Sequence, residues 1–153
     1  MQEVDDIDRR VLRLLQADCT EPVATLAERA GLSAGACWRR LERLERDGII
    51  LGRRVEIDHA ALGYAVRVSL RVTLDKTRAG AFDGFLEAAR DVPEVLSLQT
   101  LLGRVDVRME VLARDLAHYR EIYRTRILAL PHIAEIEALM LVSDIKNSEA
   151  LPI

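Results

Sequence analysis

Cysteine is scarce in this 153-residue chain. Only Cys19 and Cys37 occur, without a Cys-x-x-Cys pair or a histidine at ligand spacing, which argues against a zinc site and a disulfide framework. No metal and no cofactor is therefore expected. Histidine is equally sparse: His59, His118 and His132 fall in separate segments, and no serine or cysteine sits in a nucleophile motif such as Gly-x-Ser-x-Gly. Nothing local announces an enzyme. Apolar runs stay short of the ~18 residues of a membrane span, and the start Met1-Gln2-Glu3-Val4-Asp5-Asp6 lacks the basic-then-apolar plan of a signal peptide. The expectation is a cytoplasmic protein with no membrane partner. A strong excess of one charge is missing too: 22 basic against 25 acidic residues give −3, which excludes both a polybasic arm and an acidic solvating tail. Lysine is nearly absent, since all basic residues but Lys76 and Lys146 are arginine, so most cationic contacts can be planar and bidentate.

What is present is a chain half of which is apolar, enough for one ordinary domain or two small ones. The small net charge hides an asymmetry. Residues 29–54 hold seven basic and three acidic side chains, a local +4 on a remainder of −7. Such an island is expected where a polyanion is touched at one place and repelled elsewhere; a solvated helix face with Glu/Arg pairs would give the same count.

Up to about Gly48 the apolar residues recur at helical spacing. Asp5 and Asp8 resemble a capping box, and Ile7, Val11, Leu14 and Leu15 form one stripe, predicting a helix over 6–17. Pro22 opens a short second helix with Val23, Leu26, Ala27 and Ala30 inward, ended by Gly31; Ser33 caps a third over 34–47. Two helices separated only by Gly31-Leu32-Ser33 make a tight helix-turn-helix. On the third helix Cys37, Leu41 and Leu44 share a face, so Cys37 reads as a small core residue. Arg39, Arg43 and Arg46 lie opposite, with Gly35 flanking them, Trp38 on one shoulder and Arg40 on the other, where it reaches a phosphate or a neighbouring helix. The small entry Ser33-Ala34-Gly35-Ala36 lets that helix end approach a groove floor and offers free N–H groups to a phosphate. Past Gly48 the pattern changes to period two through Ile50, Arg53, Arg54, Val55 and Ile57, predicting a small β-wing or linking strand.

The second half alternates cleanly over 65–75, with Val66, Val68, Leu70, Val72 and Leu74 on one face. A helix over 79–90, strands over 95–102 and 105–113, a helix from Asp115 to about residue 128 and a last strand over 133–145 follow. The order βαββαβ predicts a ferredoxin-like split-βαβ sandwich, and the fold class is α+β. Two domains are expected: 1–58, a DNA-binding winged helix-turn-helix with its linking strand, and 59–153, the ferredoxin-like sandwich through which copies meet. Apolar residues on both faces of some strands make a second subunit the natural cover for the open sheet face.

These pieces carry a resemblance. Asp6-Ile7-Asp8-Arg9-Arg10-Val11-Leu12-Arg13-Leu14-Leu15-Gln16, Leu26-Ala27-Glu28-Arg29-Ala30-Gly31-Leu32-Ser33, and Cys37-Trp38-Arg39-Arg40-Leu41-Glu42-Arg43-Leu44-Glu45 with Gly48-Ile49-Ile50 resemble the Lrp/AsnC family of transcription regulators. So do Gly103-x-x-Asp106, Leu130-Pro131, and Lys146 followed by Leu151-Pro152-Ile153. The resemblance covers nearly the whole chain in family order. It implies a homodimer, often assembled into tetramers or octamers, that binds palindromic double-stranded operator DNA. It also implies a small effector, typically an amino acid, held between dimers near the Gly-x-x-Asp hairpin.

Carried over, the resemblance puts Ser33, Trp38, Arg39 and Arg43 on the recognition helix. The full expected DNA set adds Gly35, Arg40, Arg53 and Arg54 from the pattern of charge and small residues. The effector set is Gly103, Arg104, Val105 and Asp106 in the hairpin, with Leu139, Met140 and Leu141 of the last strand implied by the family. In chemical terms, backbone N–H groups around Gly103 suit a carboxylate and Asp106 suits an ammonium group. The chain departs from the family at Arg104-Val105, where an aromatic is common nearby, at Ile136-Glu137-Ala138 in place of Thr-x-Thr, and at Ala36 in place of proline. Two other functions fit the same scaffold. One is an enzyme resembling the sirohaem decarboxylases, with His59 and His118 as candidates by residue type; the other is an architectural DNA-binding protein without an effector.

Overall fold

The computed structural model describes residues 3–146 and 150–153, so residues 1–2 and 147–149 at the edges of the two expected domains lie outside the description. The chain divides into two compact units: Met1–Glu56 with Lys146–Ile153, and Ile57–Ile145. The final segment thus groups with the first unit, whereas the sequence reading assigns it to the second.

The first unit contains α1 (Asp6–Ala17), α2 (Val23–Ala30) and α3 (Ala34–Arg46). Asp5 and Asp8 close a reciprocal capping box on α1, each carboxylate accepting from the other's backbone N–H at 2.7 and 3.1 Å. Gly31 ends α2 at φ 72°, a conformation glycine adopts without steric cost, and the N–H of Leu32 returns to Ala27 O at 2.8 Å. Ser33 then caps α3 by accepting from the Ala36 N–H. Val11, Leu26, Ala27, Ala30, Cys37 and Leu41 form the core where the three helices meet. Burying each larger apolar side chain contributes roughly 1.5–3 kcal/mol. Burial also pushes the Cys37 thiol up, which keeps it protonated and fits its role as packing.

The expected wing does not form as a strand. Among the described residues no strand occurs between Gly48 and Ala65, and Leu51, Val55 and Ile57 are exposed. Alternation alone does not make a strand: backbone N–H and C=O groups need a neighbouring ladder, and this segment has none in the chain. Residues 150–153 instead pack near this side of the unit. Gln16 exchanges two hydrogen bonds with the Leu151 backbone, Arg13 donates to Ile153 O at 3.1 Å, and Leu151 and Ile153 line a pocket of about 500 Å³ with Leu12, Leu15, Ile49 and Ile50. A Pro-containing tetrapeptide carries no periodicity, so this docking leaves no trace in the pattern.

The second unit is β1 (Val66–Leu74), α4 (Ala81–Arg90), β2 (Val95–Thr100), β3 (Val107–Ala113), α5 (Leu116–Ile122) and β4 (Ile133–Met140). The sheet order is β2-β3-β1-β4 and every pairing is antiparallel, the split-βαβ arrangement. Val68, Leu70, Val72 and Leu74 pack with Val107, Met109 and Val111 against Phe85, Ile122 and Ile127. Helix α5 does not run on to residue 128 as an α-helix: Tyr123–Ile127 is a π-helical turn, a widening with no signature in apolar spacing. Phe82 and Leu116, in the first turns of α4 and α5, are exposed.

On β1 the face away from the helices carries Arg67, Ser69, Arg71 and Thr73. Arg67 is ion-paired to Glu110 on β3 and Arg71 to Glu137 on β4, so this face is more polar than the sequence reading expects, its apolar part coming from Leu112 and Leu139. No helix among the described residues is long and apolar enough to cross a membrane.

Candidate DNA-binding and effector sites

Helix α3 positions the side chains expected to face DNA through its core face. With Cys37, Leu41 and Leu44 pinned inward, Trp38 and Arg39 are exposed, Trp38 at 60 %. Gly35 is exposed at the helix entry, and a side chain there would meet only the Arg39 guanidinium in ordinary contact. Arg53 and Arg54 stand exposed in the segment after α3, Arg53 within 3.4 Å of Glu45.

Arg40 and Arg43 have a second role. Asp8 on α1 is fully buried, and Arg40 donates to its Oδ1 at 2.7 Å while Arg43 pairs with its Oδ2; Arg40 also reaches Asp5 at 2.7 Å. The Asp8 backbone N–H and the Arg40 guanidinium hold the Asp5 carboxyl below its usual range. The wheel position of Arg43 suggests an outward side chain. Its length lets it fold back to α1, leaving 16 % of the side chain exposed. Arg39, Arg40 and Arg43 nevertheless line one open groove of about 340 Å³ with Ala36. The floor is thus a pair of internally neutralised arginines and the rim a free-standing one, a concave cationic surface suited to a phosphate. Asp8 is a supporting residue the sequence analysis missed as a counter-ion. The signal was there in Arg40 and Arg43, three apart on one helix, and in Asp8, one turn before the buried Val11 on another.

In the second unit the loop between β2 and β3 carries the expected effector residues. Leu102 and Arg104 are exposed; Thr73 donates from its hydroxyl to Arg104 O at 3.4 Å. Gly103 has no positive φ and open space where a side chain would project, so the local fold does not require glycine there. Asp106 is buried at 5 % exposure. Its Oδ2 accepts from the Leu74 N–H at 2.9 Å, its Oδ1 pairs with Lys76 Nζ at 2.8 Å, and its own N–H donates to Val72 O at 3.0 Å. The Lys76 ammonium and the Leu74 N–H hold its carboxyl below the usual carboxylate range.

Leu139, Met140 and Leu141 are partly exposed and sit elsewhere on the sheet. Asp106 bonds at the level of Val72 and Leu74, whereas Leu139 pairs opposite Ser69, about 13 Å back along β1 at ~3.3 Å per residue. One chain does not bring the two halves of the effector set together. His59 and His118 are occupied locally: His59 Nδ1 bonds to Tyr64 O at 2.8 Å in the turn, and His118 Nδ1 accepts from the Arg114 N–H at 3.2 Å. Among the described residues no cluster of metal-ligating side chains occurs.

A helix-turn-helix with a cationic outer groove, joined in sequence to a split-βαβ sandwich, defines a DNA-binding regulator with a ligand-binding module. Residues 4–45 match the AsnC-type helix-turn-helix domain and residues 67–151 the Lrp/AsnC ligand binding domain; the chain belongs to the Lrp/AsnC family of transcriptional regulators. It is 30% identical over 153 residues to the glutamate uptake regulatory protein of Zymomonas mobilis, covering 100% of this chain and 93% of that protein. It is 31% identical over 150 residues to the DNA-binding transcriptional activator DecR of Escherichia coli, covering 98% and 99%. Its fold superposes on a transcriptional regulator from Neisseria meningitidis in complex with L-Met, with TM-score 0.92, 25% identity and coverage of 98% and 97%. An AsnC family regulator from Agrobacterium tumefaciens gives TM-score 0.88 at 32% identity over 97% and 96%. The chain is therefore a transcriptional regulator and not an enzyme, and the decarboxylase alternative has no support among its relatives.

Proposed function

We propose that this regulator acts as a homodimer, assembled further into tetramers or octamers, that places one α3 helix in each of two successive major grooves of a palindromic operator. Arg39 and Trp38 meet the DNA directly, Arg53 and Arg54 follow the flanking phosphates, and the N–H groups at the small entry of α3, from Ser33 through Gly35, take a backbone phosphate. Arg40 and Arg43 hold the groove floor against α1. An amino acid acts as effector, held by the loop from Gly103 through Arg104 and Val105 to Asp106, with Leu139, Met140 and Leu141 supplied by another copy. The observation that carries this reading is the separation of those two groups within one chain, beside a neighbour of the same fold that binds L-Met. The ion-paired outer sheet face is the surface on which copies meet.

Light scattering on the purified protein, followed by calorimetric titration with each of the twenty amino acids, tests the proposal. An even-numbered assembly that binds at least one amino acid is expected; a monomer that binds none would contradict it. Gly103→Ala adds a finer check. Because glycine is not required by the backbone there, stability should change by less than about 0.5 kcal/mol, while effector affinity falls through the lost close approach. A variant that binds the effector as wild type would place the ligand away from this loop.

A further inference from the structure

Lys76 is one of only two lysines in the chain and lies two residues past the end of β1. Its side chain is 67 % exposed, yet its ammonium lies 2.8 Å from a carboxylate whose side chain is only 7 % exposed. The two oxygens of Asp106 are therefore used unequally. Oδ2 is fixed by a buried bond from the Leu74 N–H, part of the framework of the sheet. Oδ1 is held instead by the ammonium of a solvent-exposed lysine.

We propose that Lys76 is a built-in competitor for the effector: its Nζ caps Asp106, and an amino acid binds by displacing it. This rests on the effector loop proposed above. The chemistry of exchange is balanced. A lysine ε-ammonium and an amino acid α-ammonium carry the same charge and three donors, so Asp106 stays paired throughout and no buried charge is left bare. The lysine can leave at little cost because its stem is solvated, whereas the Leu74 bond stays. Arg104, exposed and without an ion-pair partner among the described residues, remains beside the loop for the ligand's carboxylate.

A cap that is closed most of the time reduces apparent affinity in proportion to the open fraction. Lys76 thereby sets the effector concentration at which the regulator responds, and it discriminates ligands: only one that carries its own ammonium can replace the cap. A 2-oxo acid of the same carbon skeleton leaves Lys76 in place.

Lys76→Gln tests this. The variant keeps a solvated side chain, and its thermal melt serves as the folding control. Calorimetric titration with the twenty amino acids, and with the 2-oxo acid matching whichever binds, is expected to show about tenfold tighter amino acid binding than wild type and unchanged 2-oxo acid binding. Amino acid affinity that stays the same or weakens in the variant overturns the competitor role and leaves the effector loop standing. Absence of amino acid binding by both proteins overturns the effector loop and the competitor with it.

Discussion

Replacing Asp8 with asparagine is expected to destabilise the DNA-binding unit by about 3 kcal/mol, the lower end of what breaking a buried ion pair costs. The carboxylate is fully buried and holds two guanidiniums together with the Asp5 N–H. Asparagine keeps the size and loses the charge, so Arg40 and Arg43, themselves only 24 % and 16 % exposed, are left without their buried counter-ion. For a unit this small, that loss lowers the melting temperature by roughly 12–24 °C. The single tryptophan, Trp38, lies in this unit and reports its unfolding by fluorescence. A melt within 2–3 °C of wild type would show that the pairing does not anchor α3 to α1. The triple variant Asp8→Leu, Arg40→Met, Arg43→Met should recover part of the stability, since apolar packing can replace a buried ionic cluster, while still losing the groove.

Arg39→Ala is expected to do the opposite: leave stability within about 0.5 kcal/mol and remove DNA affinity. Arg39 is exposed, is in no ion pair among the described residues, and forms the rim of the groove of which Arg40 and Arg43 form the floor. Truncating a base- or phosphate-contacting arginine costs ~1–3 kcal/mol. With one in each half-site, operator affinity falls at least roughly 30-fold. If the contact is to phosphate, the slope of log affinity against log salt also drops by about two for the dimer. Fluorescence anisotropy with operator DNA across a salt series separates these. Arg43→Ala should lose both affinity and stability, because the same side chain pairs with Asp8; an Arg43 variant as stable as wild type would assign it to DNA alone.

Much of this was legible in the residues, and the reasons are local. Asp5 with Asp8, Pro22, Gly31 and Ser33 fix where the three helices begin and end, because caps act within one turn, and strict alternation from Val66 to Leu74 fixes a strand with one buried face. Cys37 as a core residue followed from the same periodicity. What was not legible depends on partners distant in sequence. The stretch after Gly48 alternates like a strand and has no ladder to join; the π-helical turn at Tyr123 and the docking of Leu151 on Gln16 leave no periodic mark. In the candidate sites, side-chain length defeated the helical wheel: Arg43 points outward by angle and inward by reach. Asp106 read as an acceptor for a ligand's ammonium group, and its burial under Lys76 required knowing that β1 ends beside β3.

The central claim is that one chain couples an operator to an amino acid, and one titration tests it most directly. Purified protein would be titrated onto the DNA upstream of its own gene in a salt series, with and without each of the twenty amino acids. The account predicts specific binding that weakens steeply with salt and that at least one amino acid shifts. Salt-dependent binding with no preference for that DNA over unrelated sequence, unmoved by any amino acid, would contradict it.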